Sequence, residues 1–228
     1  MLKIKLYADT ADWTTINRYA DDARISGFTT NPSLMAKAKV APHDYADVSK
    51  YILKRVAPKP VSVEVLAGDK NGMLVQARTI RSWGRNAIVK IPVVDAKGES
   101  TVDVIRLLGH GGIPLNITAV MTVAHAKSLA SILRPGAIVS FFAGRVADTG
   151  RDPVSAAMAI RKELPDNPLL WASTREIWNI IQAQDAGCSI ITLSSSLIDK
   201  LPLLGKDLDE LTLETVCQFQ RDGERYVI

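Results

Sequence analysis

The sequence has few of the residues that mark metal-binding or disulfide-rich proteins. It has two cysteines, Cys188 and Cys217, without a CxxC motif, so neither a disulfide framework nor a cysteine-based metal site is predicted. The three histidines, His43, His110 and His125, share no spacing that is typical of metal ligands. We expect no metal site and two reduced thiols in a cytoplasmic protein, although these residues alone leave a single disulfide open.

Long hydrophobic runs and charge of one sign are absent as well. No apolar stretch approaches the ~20 residues that a membrane helix requires. The segment Met1–Tyr7 alternates lysine with apolar residues and lacks the apolar core of a signal peptide. The net charge is +4, but the basic residues form no arginine-rich tract and are not interleaved with aromatic residues. We therefore expect a soluble protein with neither a membrane nor a nucleic acid as its partner.

The chain alternates short apolar runs with longer segments of helical periodicity, and this pattern predicts the fold class. Eight strands are predicted: Lys3–Ala8, Arg24–Thr29, Val61–Leu66, Ala87–Val93, Ile113–Thr118, Ala137–Phe142, Leu169–Ser173 and Ser189–Ser194. The clearest helical segments between them are Met73–Trp83, Val102–Leu108, Val123–Leu133 and Pro153–Glu163. Such alternation indicates βαβ units and a parallel sheet.

Helix start and stop signals support these boundaries. Asp69 and the pair Asp152-Pro153 are typical of helix N-termini. Gly109 and Gly111-Gly112 indicate the end of a helix before the fifth strand.

A closed barrel is favoured over an open, doubly wound sheet. The first βα turn has no G-x-G-x-x-G motif, which a dinucleotide-binding open sheet would carry. We predict an α/β protein with one (β/α)8-barrel domain over residues 1–228. Residues 206–228 form a C-terminal extension with a helix at about Leu208–Gln220, whose apolar face must pack on the barrel or on a neighbouring subunit.

Several strands carry polar side chains where a strand covered on both faces should be apolar. These residues, on or next to the predicted strands, are Asp9, Asn31, Glu64, Lys90, Asn116, Thr118, Ser140 and Ser173. Each has a structural alternative, because a lysine can extend its amine to solvent, a glutamate can form a structural ion pair, and short polar residues cap helices. As a set they predict an active site, because barrel enzymes place their chemistry at the carboxyl ends of the strands.

A lysine and two carboxylates in one dry pocket favour Schiff-base chemistry. A buried lysine can present a free amine, which attacks a carbonyl to give an imine that acts as an electron sink. Breaking a carbon–carbon bond beside that imine requires a base, and forming the imine requires proton transfers and a positioned water. Asp9 and Glu64 can divide these two tasks while Lys90 forms the imine.

Two arginines follow consecutive strands. Arg145 comes just after the sixth strand and Arg175 just after the seventh. Guanidinium groups bind phosphate through charge-assisted hydrogen bonds, so this pair predicts a clamp for a sugar phosphate. The alternative is that both are ordinary surface arginines on loops.

Five segments together closely resemble the transaldolase family, and most closely its short members, the group that includes the fructose-6-phosphate aldolases. The segments are Ala8-Asp9-Thr10-Ala11, Gly27-Phe28-Thr29-Thr30-Asn31-Pro32-Ser33, Ile88-Val89-Lys90-Ile91-Pro92, Asn116-Ile117-Thr118 and Ala172-Ser173-Thr174-Arg175. The resemblance covers essentially the whole chain in order. It implies a (β/α)8 barrel, no metal or organic cofactor, and a homo-oligomer such as a pentamer or a decamer, with the C-terminal helix reaching a neighbour.

The resemblance also implies a role for each candidate residue. These roles are Lys90 as the Schiff-base lysine, Asp9 as the acid/base, Glu64 and Thr118 holding the catalytic water, Asn31 and Asn116 orienting the dihydroxyacetone unit, Ser173, Arg145 and Arg175 binding the phosphate, and Ser140 and Phe142 lining the pocket. One departure from the short members is Trp171, which we expect beside the phosphate site, where smaller residues are common.

Two positions discriminate within the family. At position 64 this sequence has glutamate, as transaldolases do, whereas the aldolases have glutamine. At position 142 it has phenylalanine, which fits the transaldolases better than the tyrosine of the aldolases. The expected activity is the transfer of dihydroxyacetone from sedoheptulose 7-phosphate to glyceraldehyde 3-phosphate, giving erythrose 4-phosphate and fructose 6-phosphate in the pentose phosphate pathway. The alternatives are an aldolase that releases free dihydroxyacetone, a non-catalytic barrel that binds sugar phosphates, and, last, a nucleic-acid-binding protein.

Overall fold

Eight parallel strands close into a barrel in the computed structural model, which describes residues 2–226. The strands are β1 Lys5–Asp9, β2 Ile25–Thr29, β3 Val61–Glu64, β4 Ala87–Pro92, β5 Leu115–Val120, β6 Ile138–Phe141, β7 Leu169–Trp171 and β8 Ile190–Leu193. Each strand pairs with its sequence neighbours, and β8 pairs with β1. The predicted (β/α)8 barrel is therefore confirmed.

Helices follow the strands and form the outer layer. They are α1 Trp13–Tyr19, α2 Pro32–Lys37, α3 Tyr45–Arg55, α4 Lys70–Ser82, α5 Val102–His110, α6 Val123–Ala130, α7 Ala143–Ala147, α8 Pro153–Glu163, α9 Trp178–Asp185, α10 Ser195–Ile198 and α11 Leu208–Gly223. Short 3-10 turns occupy Pro42–Asp44 and Leu201–Leu203. The predicted domain and extension also included Met1, Val227 and Ile228, which lie outside the described residues.

The predicted helix caps are largely confirmed. The Asp69 side chain accepts a hydrogen bond from the Gly72 amide at the start of α4, and Asp152 caps α8 in the same way. One prediction was wrong, because Gly109 lies inside α5 and the helix continues to His110. The chain leaves the helix at Gly111 and Gly112, and Gly112 has the left-handed φ that favours glycine.

The predicted strands overlap the observed ones but differ at their ends. The third strand ends at Glu64 rather than Leu66, and the seventh at Trp171 rather than Ser173. β5 runs to Val120, two residues beyond the predicted Thr118. Hydropathy alone therefore does not locate the strand ends.

Alternation along the strands divides the core into two parts. Most buried apolar side chains, such as Val89 and Ile117, point outward and pack against the helices. A smaller cluster, Tyr7, Ile138, Leu170, Ala172 and Ile190, packs together with Ile88 and Phe142 inside the barrel. Lys90 has the same parity as Ile88 on β4, so it also points inward.

Gly27 leaves room for an aromatic ring inside the barrel. A Cβ at Gly27 would lie 2.5 Å from the ring of Tyr7, which stands beside it in the pairing of β1 with β2. The ring therefore fills the space that a larger residue on β2 would occupy.

The C-terminal helix α11 is present, three residues longer than predicted. None of its residues is buried, and Leu208 and Phe219 are 73% and 68% exposed. Within residues 2–226, no helix combines the length and apolar character needed to cross a lipid bilayer. Cys188 and Cys217 are both free, so no disulfide joins them within the chain.

Candidate active site

A cavity of about 450 Å³ opens at the carboxyl ends of the strands. Every predicted site residue except Asn116 and Arg175 lines it. The lining residues that the sequence predicted are Asp9, Asn31, Glu64, Lys90, Thr118, Ser140, Phe142, Arg145 and Ser173. The barrel thus brings residues from β1, β3, β4, β5 and β6, and from the loops that follow β2, β6 and β7, into one space.

Lys90 is buried and ion-paired. The residue is only 5% exposed, and its Nζ lies 2.9 Å from Oε2 of Glu64 and 2.9 Å from the carbonyl oxygen of Thr30. The register of β3 and β4 places Glu64 directly beside Lys90, so the pairing follows from the strand alignment. Extension of the amine to solvent is excluded by this geometry. The surroundings are also less apolar than the flanking residues Val89 and Ile91 suggested, because a carboxylate contacts the amine.

Asp9 ends β1 and faces the same cavity. The Thr29 hydroxyl donates a 2.7 Å hydrogen bond to Oδ1 of Asp9, and the register of β1 and β2 places these residues side by side. Burial raises the pKa of Asp9, while the positive charge of Lys90 and the hydrogen bond from Thr29 act in the opposite direction. Thr29 was not predicted as a site residue, although its inward parity with Gly27 on β2 was a usable signal.

Asn116 lies beneath the cavity in a buried hydrogen-bonded row. Its Nδ2 donates to the hydroxyl of Ser62 at 3.0 Å, and the hydroxyl of Ser140 donates to its Oδ1 at 2.7 Å. The row connects β3, β5 and β6 and fixes the orientation of the amide. Ser62 was also missed by the sequence analysis, although it shares the inward parity of Glu64.

Thr118 and Asn31 both line the cavity, but only the Asn31 side chain forms a hydrogen bond with the part of the protein that the structure describes. The Thr118 hydroxyl is buried without a hydrogen-bond partner among residues 2–226, although the residue lines the cavity. Buried hydroxyls are normally paired, so this oxygen is available to a water or a substrate. Asn31 caps α2 by accepting from the Leu34 amide at 2.9 Å, and it lines the cavity as well.

One end of the cavity is suited to an anion. Arg145 lies on the short helix α7, with its guanidinium carbon 5.8 Å from the centre of the Phe142 ring. Ser173 contributes its side chain from the loop after β7, with a left-handed φ of 63° that is uncommon outside glycine. Lys37, on α2, also lines the cavity and was not predicted.

Arg175 lies outside the cavity. Its side chain is 53% exposed, and its Nε donates to Oδ1 of Asp148 at 3.3 Å, with a second contact between Nη2 and the other carboxylate oxygen. The hydrogen bond from Arg175 and the charges of Arg175 and Arg145 lower the pKa of Asp148. Of the two predicted clamp residues, this structure places only Arg145 in the cavity.

Trp171 does not line the cavity. It is 1% exposed and packs edge to face against Phe141, with ring centres 6.1 Å apart, in the layer between barrel and helices. Its neighbours Leu170 and Ala172 face the cavity instead. The expected influence of Trp171 on the phosphate site is therefore indirect.

A metal site is not evident from side-chain grouping. Among residues 2–226, no three or more His, Cys, Asp or Glu side chains are grouped so that they could hold an ion.

Known proteins of similar sequence match nearly the whole chain. Residues 6–227 match the family described as Transaldolase/Fructose-6-phosphate aldolase. A probable transaldolase of Nitrosopumilus maritimus is 31% identical, with 97% of this chain and 96% of that protein covered. Probable transaldolase 2 of Listeria monocytogenes is 30% identical, with 96% and 100% covered. A probable transaldolase of Thermoplasma volcanium is 33% identical, with 87% of each chain covered.

Solved structures of lower identity share the barrel fold. Dihydrodipicolinate synthase from Rhodopseudomonas palustris superposes with a TM-score of 0.57 at 13% identity, over 83% of this chain and 69% of that one. Inosine 5' monophosphate dehydrogenase from Legionella pneumophila gives 0.61 at 16% identity, over 86% and 59%. At such low sequence identity, the superpositions show a shared fold and nothing about function. The near-full-length match to the family and its relatives shows more: this chain belongs to the Transaldolase/Fructose-6-phosphate aldolase family.

Proposed function

We propose that this chain is a transaldolase that transfers a dihydroxyacetone unit between sugar phosphates through a Schiff base on Lys90. The observation that carries the proposal is the contact between the buried Lys90 amine and Glu64, in one cavity with Asp9. A nucleophilic amine and two carboxylates are the groups that imine formation and carbon–carbon bond cleavage require.

The first step forms the imine. Glu64, 2.9 Å from Nζ, takes a proton from Lys90, and the free amine attacks C2 of sedoheptulose 7-phosphate or fructose 6-phosphate. The C2 oxygen leaves as water, with its protons supplied through Glu64, and a protonated imine remains on Lys90. The unpaired hydroxyl of Thr118 provides a hydrogen bond to this water.

The second step cleaves the C3–C4 bond. Asp9 accepts the proton of the C4 hydroxyl, and the electron pair of the C3–C4 bond moves into the imine to give an enamine. The aldose phosphate leaves with a new carbonyl at the former C4. Because burial raises the pKa of Asp9, its carboxylate is a stronger base than an exposed one.

Transfer then runs the same steps in reverse. The enamine carbon attacks the aldehyde of glyceraldehyde 3-phosphate or erythrose 4-phosphate, and Asp9 returns its proton to the new alkoxide. Water adds to the imine and releases the product from Lys90. These steps need neither a metal nor an organic cofactor.

Fixed polar groups orient the substrate. The Asn116 amide, held by Ser62 and Ser140, presents one orientation to the dihydroxyacetone unit, and Asn31 contacts this unit from the start of α2. Arg145 and Ser173 bind the phosphate, and Phe142 lines the cavity that they share with Lys90. Arg175 adds an outer contact when its guanidinium exchanges Asp148 for the phosphate.

The nearest alternative is an aldolase, since the family includes both activities. Glu64 and Phe142 favour the transaldolase, because the aldolases carry glutamine and tyrosine at these positions. An assay with sedoheptulose 7-phosphate, with and without glyceraldehyde 3-phosphate, separates the two. A transaldolase forms fructose 6-phosphate only with the acceptor, whereas steady release of free dihydroxyacetone without it would support the aldolase.

Borohydride trapping tests the Schiff base itself. Reduction in the presence of fructose 6-phosphate is expected to leave a dihydroxyacetone adduct on the peptide that contains Lys90. Lys90→Met should give no adduct, whereas Lys37→Met, which changes a lysine at the cavity rim, should still give one. Sugar exchange at an unchanged rate in Lys90→Met would contradict the proposal, and a complete lack of adduct would favour a non-catalytic sugar-phosphate-binding barrel.

The proposal extends to the setting of the enzyme. It places the chain, as one domain with residues 206–228 as an extension, in the cytoplasm and in the pentose phosphate pathway. Phosphorylated sugars are its partners, without nucleic acid or membrane. A homo-oligomer, such as a pentamer or decamer, is supported by the exposed apolar side chains of α11, which the chain's own barrel does not cover.

A further inference from the structure

We infer that Thr29 is a positioning residue for Asp9: its hydroxyl donates a hydrogen bond to one carboxylate oxygen and leaves the other oxygen to face the substrate. This inference deepens the proposed function, and its catalytic meaning rests on that function. It starts from a contact between two inward-facing side chains at the carboxyl ends of β1 and β2.

Backbone pairing fixes the two residues relative to each other. Thr29 lies directly opposite Asp9 in the parallel register of β1 and β2, and its carbonyl accepts the amide of Thr10 at 3.0 Å. On the other side, the amide of Thr30 donates to the carbonyl of Ser62 on β3 at 3.1 Å. Thr29 is 3% exposed, so its side chain has little freedom to turn elsewhere.

The hydrogen bond assigns the two carboxylate oxygens of Asp9 to different tasks. Oδ1 accepts the Thr29 hydroxyl at 2.7 Å, and within residues 2–226 no other hydrogen bond to the carboxylate is present. Oδ2 is therefore left to accept the proton from the C4 hydroxyl of the substrate. The proton of Thr29 stays on Thr29 throughout, so the residue orients the base and takes no part in the transfer.

The charges around Asp9 explain why such a donor matters. Asp9 is influenced by Lys90 on β4, which favours its ionised form, and by Glu64 on β3, which opposes it. Lys90 is itself paired with Glu64 at 2.9 Å, so much of its positive charge is already balanced. Arg145 and Lys37 line the same cavity. Of the two groups that favour the ionised carboxylate, Lys90 has the larger effect, and the Thr29 hydroxyl is the one that hydrogen-bonds to the carboxylate directly.

Two substitutions at Thr29 separate the hydrogen bond from the shape of the side chain. Thr29→Val has nearly the same shape but cannot donate, so it leaves Asp9 without its hydrogen bond. Thr29→Ser keeps the hydroxyl and loses one methyl group. Thr192→Val is the matched control, because Thr192 is a buried threonine of the same cavity whose hydroxyl contacts the carbonyl of Trp171, not Asp9.

The first measurement follows the titration of Asp9 directly, without turnover, by NMR of protein labelled with ¹³C at the aspartate carboxyl carbon. The Asp9 signal is identified by its loss in Asp9→Asn. In Thr29→Val the midpoint is expected to rise by about one pH unit or more, since a hydrogen bond to a charged group is lost. Thr29→Ser and Thr192→Val should titrate as the wild type does. An unchanged midpoint in Thr29→Val would overturn the inference.

The second measurement is the pH profile of kcat/KM for sugar exchange. The ionised carboxylate is the base, so activity falls as the pH drops through the pKa of Asp9. The acid limb should therefore move to higher pH in Thr29→Val. At pH values below the pKa of Asp9, kcat/KM of the variant should be about tenfold lower than that of the wild type. A uniform loss at all pH values, with the limb in place, would mean a merely structural role and would also overturn the inference. A shifted NMR titration in a protein without exchange activity would instead refute the proposed function and leave the Thr29–Asp9 pairing supported.

Discussion

Gly144 lies directly against the backbone of Ser173. A Cβ on Gly144 would fall 1.7 Å from the Ser173 carbonyl oxygen, which no real Cβ tolerates. The Gly144 amide also donates to the carbonyl of Ala172 at 3.4 Å. This close approach brings helix α7, which carries Arg145, beside the loop that carries Ser173. The anion end of the cavity therefore depends on the missing side chain of one glycine.

Replacing this glycine tests that dependence. Gly144→Ala must push α7 away from the loop that carries Ser173, so we expect KM for sedoheptulose 7-phosphate to rise about 10- to 100-fold, because small misplacements of binding groups are costly. Steady-state kinetics and circular dichroism of the variant check this. Gly68→Ala is the control, because a Cβ there meets no atom within 4 Å. Unchanged kinetics in Gly144→Ala would show that the close contact does not shape the site.

The two arginines are expected to contribute unequally to phosphate binding. Arg145 lines the cavity, whereas Arg175 is exposed and engaged by Asp148. Arg145→Ala should raise KM for phosphorylated donors about 10- to 100-fold, as for a lost charge-assisted hydrogen bond. Arg175→Ala should raise it only about 3-fold, since exposed contacts of charged groups are weak.

Kinetics with a phosphorylated and an unphosphorylated ketose check this ranking. Turnover of unphosphorylated fructose should respond to neither change, because it lacks the anion that both guanidinium groups would bind. A larger effect of Arg175→Ala than of Arg145→Ala would contradict the ranking. It would mean that Arg175 leaves Asp148 and becomes the main phosphate contact when substrate binds.

Burial of Asp9 is expected to lower stability at neutral pH. Its pKa is raised in the folded state, so the native protein holds this proton more tightly than the unfolded chain does. The contribution of this carboxyl to stability is therefore present at low pH and is lost as the pH rises through its folded pKa. Asp9→Asn, which carries no charge at any pH, should have a higher urea midpoint than the wild type at neutral pH.

The pH dependence of that gain is the sharper measurement. The difference between Asp9→Asn and the wild type should shrink as the pH falls towards 3.8, the ordinary pKa of an aspartate carboxyl. The variant should also lose sugar exchange. An equal difference at all pH values would trace the gain to packing rather than to the buried charge.

The C-terminal helix is expected to hold subunits together. α11 exposes Leu208, Leu213, Val216 and Phe219 and buries none of its own residues. Removal of residues 206–228 should therefore reduce the number of subunits per particle, as measured by light scattering. In the full chain, Phe219→Glu should weaken assembly, whereas Gln218→Glu, at a neighbouring exposed polar position, should not. A full-length chain that is monomeric at micromolar concentration would contradict this prediction.

Much of the fold could be predicted from the sequence because its signals are local. The alternation of apolar runs and helical periodicity predicts eight βα units. The predicted helical segment Pro153–Glu163 has the same first and last residues as α8. The ends of several strands and the helix stop at Gly109 were misplaced. Those boundaries depend on where neighbouring strands stop pairing and on how a turn packs, which the local residues do not encode.

Local sequence signals predicted only part of the candidate site. Lys90 and Glu64 stand out because charged residues interrupt apolar strands. Thr29 and Ser62 have ordinary residue types for strands, and it is their hydrogen bonds with Asp9 and Asn116 that give them a place in the site. Arg175 had the expected residue type and the expected loop, yet its side chain is paired with Asp148.

The amino-acid sequence is sufficient to derive the order of strands and helices, the inward parity of Lys90 and Glu64, and the family. These follow from hydrophobic periodicity and from short motifs, which are properties of neighbouring residues. Three relationships emerge only in the folded chain: the contact of Glu64 with the Lys90 amine, the hydrogen bond from Thr29 to Asp9, and the packing of Trp171 away from the cavity. Such contacts join residues on different strands, and their distances are set by the register and closure of the barrel.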